Sequence, residues 1–287
     1  MSREFRRGLS DALLRDLLHG PSGTVLRACR DSGLDVRLRD NYLNLYFRGR
    51  SLARIVGCRR RPVKLEIHHK YVVADRIGDC TGRRSGHYCV FHVDAAFAEV
   101  YREHLDTMIK RACRYAGPEE DMELRLLERN DSTAAVCCFD RQIQVPGTRR
   151  TLDLMGFLAG EVPALVAIEV KRYPDPRIQY VPRQLHEYME ILDPTQEGLR
   201  DDVARSYRTV CEQLRTLGLP APEPTRITAG MPVRGLVIVS DYNPRSRLLP
   251  RAHALAAKLE RPMHLWQLAS GEFLIPGAGR WARMGLD

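Results

Sequence analysis

Glu169 and Lys171 lie two residues apart near the end of the run ALVAIEVKR, residues 164–172. Apart from the closing Arg172 the rest of that run is apolar, the pattern of a strand buried on both faces. Side chains alternate across a strand, so the carboxylate and the ammonium point to one face. Two readings fit charges in such a place: a salt bridge that satisfies both, or an active site that uses them. Asp153 sits in a second mostly apolar segment, RTLDLMGFL at 150–158. Glu123 falls inside the apolar arc of Met122, Leu124, Leu126 and Leu127 on a helix expected over 118–128, with Glu120 at the edge of the arc as its rival. A carboxylate aimed at a core is costly unless it is paired or bound to a cation. Converging carboxylates repel one another, and their hard oxygens suit Mg²⁺ or Mn²⁺, with the backbone carbonyl of Val170 as a further ligand. Such an ion lowers the pKa of a bound water and stabilises charge on a phosphate. A lysine beside it orients that water or offsets the developing charge. No serine or cysteine has an identifiable histidine partner in the sequence, so acyl transfer has no support.

The elements that must position these residues follow from periodicity and punctuation. Pro118-Glu119-Glu120 is a good helix start. Strands are expected at 134–139, 150–158, 164–172, 233–240 and 264–268, and helices at 182–192, 199–217 and 247–259. The stretch 218–232, rich in Pro and Gly, reads as a loop. This is an α/β layer fold, a mixed sheet flanked by helices.

Before it, residues 1–20 read as a helix broken by GPSGT, 35–57 as a hairpin turning at Arg48-Gly49-Arg50, 63–74 as a strand, 76–88 as a loop and 94–116 as a long helix. The expected organisation is an N-terminal α+β domain over 1–116 and a second domain over 117–287. The first domain is expected to serve substrate recognition, a partner or dimerisation.

Composition narrows the class. The chain has 287 residues, 45 Lys plus Arg against 36 Asp plus Glu, and a net charge of +9. That balance favours a polyanionic partner. Only five of the cations are lysines: Lys64, Lys70, Lys110, Lys171 and Lys258. A lysine in a core strand of an arginine-using chain is therefore a marked choice, since its compact charge and tunable pKa differ from those of a guanidinium. No long uncharged apolar run suits a membrane span, and the N-terminus lacks a signal-peptide core. A cytoplasmic protein with reduced thiols and no membrane partner is expected. Cys80, His87, Cys89 and His92 lie close in sequence but match no standard zinc spacing. Tyr42, Tyr46, Arg48, Arg50 and Arg54 interleave aromatic and basic residues; an exposed hairpin face and a nucleic-acid surface both fit that pattern.

The constellation resembles the PD-(D/E)xK nuclease superfamily: an acid on a helix, an Asp on the next strand but one, then (D/E)xK. Here these are Glu123, Asp153 and Glu169-Val170-Lys171. Gln184 and Tyr188 add a QxxxY spacing on the following helix, similar to the RecB and lambda-exonuclease branch. Residue 152 is Leu where the pattern has Pro. The resemblance covers roughly residues 118–270. It implies a restriction-endonuclease-like fold and Mg²⁺- or Mn²⁺-dependent phosphodiester hydrolysis. The implied catalytic residues are Asp153, Glu169, Lys171, Gln184 and Tyr188. The implied metal ligands are Asp153, Glu169, the Val170 carbonyl and Glu123. Arg172, Arg177 and Arg183 surround the motif as phosphate contacts. DNA is favoured over RNA and an endonuclease over an exonuclease, with restriction or antiviral defence as the setting. Cutting both strands would suit a homodimer. An RNA-cutting or structure-specific nuclease, and a nucleic-acid-binding protein that does not cut, remain the alternatives.

Overall fold

A computed structural model describes residues 5–58, 63–73, 83–115, 117–144, 151–192, 199–221, 223, 227–228, 230–269 and 271–285. The chain is of mixed α/β class and divides into two compact units. One takes the described residues of Met1–Phe5, Met122–Arg208 and Pro220–Asp287; the other takes those of Arg6–Asp121 and Thr209–Leu219. Among the described residues no helix is long and apolar enough to cross a membrane.

In the second of these units the first helix is shorter than periodicity suggests. Helix α1 is Asp11–His19, capped by the Ser10 hydroxyl, which accepts from the Leu13 N–H. GPSGT does break the first helix, which ends at His19. It also starts helix α2, Pro21–Asp31, because proline at the first helical position lacks only an N–H that would have no partner there. A six-stranded antiparallel sheet follows: β1 (Asp35–Leu38), β2 (Tyr42–Phe47), β3 (Arg50–Val56), β4 (Lys64–His68), β5 (Arg83–Ser85) and β6 (Tyr88–His92). Its order is β1-β2-β3-β4-β6-β5. Arg48 and Gly49, both at positive φ, make the tight β2–β3 turn. The span 35–57 holds three strands, since Asn41, also at positive φ, turns the chain once more between β1 and β2. β5 and β6 replace part of the loop expected at 76–88; residues 74–82 lie outside the described ones. Helix α3 (Ala95–Cys113) is capped by Asp94 and buries Phe97, Ala98, Tyr101, Leu105, Met108 and Ala112, one stripe at helical spacing.

The other unit carries the candidate site. Helix α4 (Pro118–Arg129) precedes β7 (Val136–Gln144), β8 (Thr151–Leu158) and β9 (Ala164–Arg172). Helices α5 (Val181–Leu192) and α6 (Leu199–Thr216) come next, then β10 (Val233–Ser240), α7 (Leu248–Ala256), β11 (Met263–Leu268) and β12 (Ala282–Arg283). The sheet order is β12-β11-β10-β9-β8-β7. β7, β8 and β9 are antiparallel neighbours, and β9, β10 and β11 run parallel. β7 runs to Gln144, five residues beyond the apolar segment that announces it.

The sheet is buried on both faces. Val166, Ile168 and Val170 of β9 join Met122, Leu126 and Leu127 of α4 in one apolar cluster. Alternation sends Leu165, Ala167, Glu169 and Lys171 to the opposite face. There Gly235, paired with Ala167, lets α5 approach closely: a Cβ on it would meet Met189 Sδ at 2.7 Å and Leu185 at 3.0 Å. Asn130, fully buried at the end of α4, donates to the Phe273 carbonyl and accepts from the Ile275 N–H, which fixes the helix that carries Glu123.

Candidate active site

Two strands, β8 and β9, and two helices, α4 and α5, carry the predicted catalytic and ligand residues. Leu154 pairs with Ile168, so extending that register by one residue sets Asp153 opposite Glu169. Both lie on the face that α5 covers. Glu169 is 0 % exposed and Lys171 5 %. The Lys171 ammonium donates to Asp153 Oδ2 at 3.0 Å, to Glu169 Oε2 at 3.1 Å and to the Val170 carbonyl at 2.7 Å. Asp153 Oδ2 also accepts from the Val170 N–H at 2.8 Å, which locks the carboxylate against β9. Three oxygens assigned from sequence as cation ligands thus converge on one point, held here by the ammonium. Glu169 Oε1 is buried and finds no hydrogen-bond partner among the described residues.

The electrostatics explain why that point wants positive charge. Burial, and then the Asp153 carboxylate, push the Glu169 carboxyl well above its ordinary range, against the opposing pull of Lys171. Glu123 responds to the same two influences. Its burial and the Asp153 charge raise it to about 7, although Arg141 and Gln142 pull it down. Asp153, Glu169 and Glu123 therefore form one electrostatic cluster. Three carboxylates share two strong cations, Lys171 and Arg141, so the cluster favours a proton or a further cation.

The two rival helix acids part company. Glu123 Oε2 accepts from Arg141 Nη2 at 2.8 Å and from Gln142 Nε2 at 2.9 Å. Glu120 is turned away and pairs with Arg50 at 2.8 Å. Sequence reading overlooked Arg141 and Gln142, which lie on the polar end of β7. Arg141 is wholly buried. Its neighbour Gln142 has φ +50°, a left-handed conformation uncommon for such a residue, and lies between the pairs Arg141 with Leu154 and Ile143 with Leu152, where the register sets it opposite Asp153; the register shift of this strand pair falls earlier, between Cys138 and Asp140. Arg141 lies two positions past the apolar run 134–139, and nothing in the sequence marks it as buried or as the partner of Glu123.

Gln184 and Tyr188, one turn apart on α5, are bonded to each other: Gln184 Nε2 donates to the Tyr188 hydroxyl at 3.0 Å. That hydroxyl donates in turn to the Thr151 carbonyl at 3.3 Å, two residues before Asp153. Tyr188 is fully buried. The pair ties α5 to the strand that carries Asp153.

The three predicted phosphate contacts stand apart from this buried cluster. Arg172 pairs with Asp241 at 2.7 Å, Arg177 with Asp175 at 2.6 Å, and Arg183 lies 3.8 Å from Glu187. All three arginines are exposed. In the antiparallel sheet the aromatic and basic residues mostly meet one another. Arg54 lies over the rings of Tyr42 and Tyr88, at 5.5 and 4.3 Å, and Tyr46 is buried beneath Arg39. The close-in-sequence set Cys80, His87, Cys89 and His92 does not assemble among the described residues. Cys80 lies outside them, and His87 and His92 stand beyond opposite ends of the span from Tyr88 to Phe91.

No family model, curated protein or solved structure matches the chain.

Proposed function

We propose that the unit built on the mixed sheet is a metal-dependent nuclease that hydrolyses phosphodiester bonds of DNA. One observation carries this reading: Asp153 Oδ2, Glu169 Oε2 and the Val170 carbonyl converge on a single cationic point beside a buried, unpartnered Glu169 Oε1. Hard oxygens around a site short of positive charge fit Mg²⁺ or Mn²⁺. Asp153, Glu169 and the Val170 carbonyl would hold the ion, with Glu123 adding negative charge from α4. When bound, such an ion polarises a phosphate and acidifies a coordinated water.

The remaining work falls to the chain itself. Lys171 places a positive charge next to the same oxygens, where charge builds on the phosphate as the bond to its leaving oxygen breaks. The Val170 N–H bond holds Asp153 in one orientation, and Tyr188, through Thr151, holds the strand under it. Arg141 and Gln142 keep Glu123 in the cluster rather than letting it swing to solvent. The net charge of +9 favours a polyanionic substrate. DNA is the substrate we favour, with RNA as an outcome of the test.

A second reading rests on the same ammonium. Lys171 itself fills the point where the oxygens converge, as in a nucleic-acid-binding protein that kept this arrangement without cutting. The experiment that separates the two readings incubates purified protein with plasmid, linear and single-stranded DNA and with RNA, in Mg²⁺, Mn²⁺ or EDTA. Glu169→Ala and Lys171→Ala run in parallel. Metal-dependent cleavage that both substitutions reduce by about 10²-fold or more supports the nuclease, the scale seen when one charge-stabilising group is removed. Equal cleavage by the variants, or none by the wild type on any substrate, overturns it.

A further inference from the structure

The N-terminal antiparallel sheet holds a second cluster with ligand chemistry. β4 ends at His68, which pairs across the sheet with Tyr88 at the start of β6. His68 and His69 therefore leave one strand where His87 enters its neighbour. The His69 N–H donates to the His87 carbonyl at 2.9 Å and closes that end of the pair. One ring nitrogen from each of His68, His69 and His87 lies within 4.8 Å of those of the other two. The rings of His68 and His69 stack at 4.7 Å, and that of His87 lies 6.0 Å from each.

We propose that His68, His69 and His87 form a binding site for a borderline transition-metal dication, zinc by ligand chemistry, independent of the carboxylate cluster. Three features carry this. The ligand set is all imidazole, which suits zinc, copper or nickel and not magnesium or calcium. A three-histidine set leaves a fourth position for water or a further ligand. The protonation of one ligand is already arranged: His69 Nδ1 lies 2.9 Å from the His87 carbonyl, which can only accept, so Nδ1 carries the proton and Nε2 keeps its lone pair. A metal-bound histidine is commonly oriented by such a bond from its other nitrogen to a backbone carbonyl.

The remaining adjustment is small. Zinc–nitrogen bonds of about 2.0–2.1 Å put two ligands of one tetrahedral ion about 3.3 Å apart. Closing from within 4.8 Å is a side-chain movement of about 1.5 Å shared among three rings, two half-buried and one exposed. His68 gives up most. Its Nδ1 accepts from the Lys70 N–H at 3.3 Å, a long bond that it exchanges for the metal or vacates by moving its proton. The nearby cations Lys70 and Arg54 oppose a dication, but each is held over an aromatic ring, Tyr115 at 5.0 Å and Tyr88 at 4.3 Å.

The test uses the full chain without a histidine tag, stripped of metal and titrated with Zn²⁺ by calorimetry and with Co²⁺ by visible absorption. His68→Gln, His69→Gln and His87→Gln are compared with wild type, with His92→Gln, and with Glu169→Gln, which alters the carboxylate cluster. The expected result is one zinc equivalent in wild type, His92→Gln and Glu169→Gln. Each of the other three should weaken it at least about tenfold, the lower end of what loss of even a supporting group at a metal site costs. Thermal melts identify any variant that has not folded, and the folded members of the three then decide. Unchanged affinity in all three overturns the proposal. So does an equal loss in His92→Gln, or loss in Glu169→Gln, which would move the zinc to the carboxylates. None of these outcomes depends on whether the protein cuts nucleic acid.

Discussion

The two sheets handle charge in opposite ways. In the mixed sheet Glu169, Lys171, Glu123 and Arg141 are buried and answer mainly to one another. In the antiparallel sheet one face is apolar, with Leu43, Leu45, Ile55, Leu65 and Ile67 fully covered. The other face carries half-buried Arg54 stacked on Tyr42 and Tyr88. The half-buried Arg54 guanidinium lies over two rings and keeps part of its surface open to solvent. A buried carboxylate needs a partner of opposite charge, and here burial and then the Asp153 charge drive two carboxyls above their ordinary range although each has one. The demand for added positive charge is therefore concentrated in the mixed sheet, although both sheets display similar residue types.

The largest effect expected from that difference is on stability. Lys171→Met leaves Asp153 and Glu169 facing each other without their shared cation. Breaking a buried ion pair from one side costs about 3–5 kcal/mol. Denaturant unfolding in EDTA at pH 8 should show a loss of that order, shrinking at pH 5 as Glu169, whose carboxyl is already raised by burial and by Asp153, takes up a proton. Arg54→Met removes stacking from a half-buried site, worth about 0.5–1 kcal/mol. Equal losses from the two substitutions would erase the distinction between the sheets.

Gly235→Ala comes next. The added methyl would meet Met189 and Leu185 at 2.7 and 3.0 Å, so α5 must shift from the site strands. Overpacking of this kind costs about 1–3 kcal/mol, and cleavage should fall with it because Tyr188 rides on the same helix. Unchanged melting and unchanged cleavage would show that the close approach of α5 is not needed.

How much of this was legible in the sequence depended on what satisfies each residue. β9 was readable from end to end, since a strand buried on both faces is an unbroken apolar run and any charge in it stands out. β10 and α5 were readable for the same reason of strong patterning. The end of β7 was not: Asp140, Arg141 and Gln142 look like a solvated loop, and only the fold shows that Arg141 is buried against Glu123. Choosing Glu123 over Glu120 needed the Arg50 contact, a partner far away in sequence. The histidine cluster was hidden for another reason. His69 and His87 are 18 residues apart, and their meeting depends on the pairing of β4 with β6. Local proximity singled out only Cys80, His87, Cys89 and His92, a set that matches no standard zinc spacing.

A smaller effect should appear as pH dependence. Glu123 is raised from 4.5 to about 7, by burial first and by Asp153 second. Between those pH values the folded protein keeps a proton that the unfolded chain has released. Folding then binds a proton, so this group's contribution to stability falls as pH rises through that window. Gln at this position has nothing to titrate. The melting temperature of Glu123→Gln relative to wild type, measured in EDTA, should therefore rise between pH 4.5 and 7 and level off above. A flat difference across that range would mean that Glu123 is ionised throughout and that Arg141 alone satisfies it.

The smallest effects on folding belong to the exposed arginines, and they test the comparison from outside. Arg172, Arg177 and Arg183 each sit at the surface beside a carboxylate, an arrangement worth about 0–1 kcal/mol. Replacing any of them with Ala should barely move the melting temperature. If they contact phosphates, each loss should weaken DNA binding evenly across sequences and lower the salt-dependence slope by about 1. Arg54→Ala should leave that slope unchanged, because its guanidinium lies over two tyrosine rings. A drop in slope for Arg54→Ala and none for the three arginines would reverse the assignment. The antiparallel sheet would then be the nucleic-acid face, and the tyrosines that hold Arg54 would be a stacking platform for bases rather than its satisfied partners.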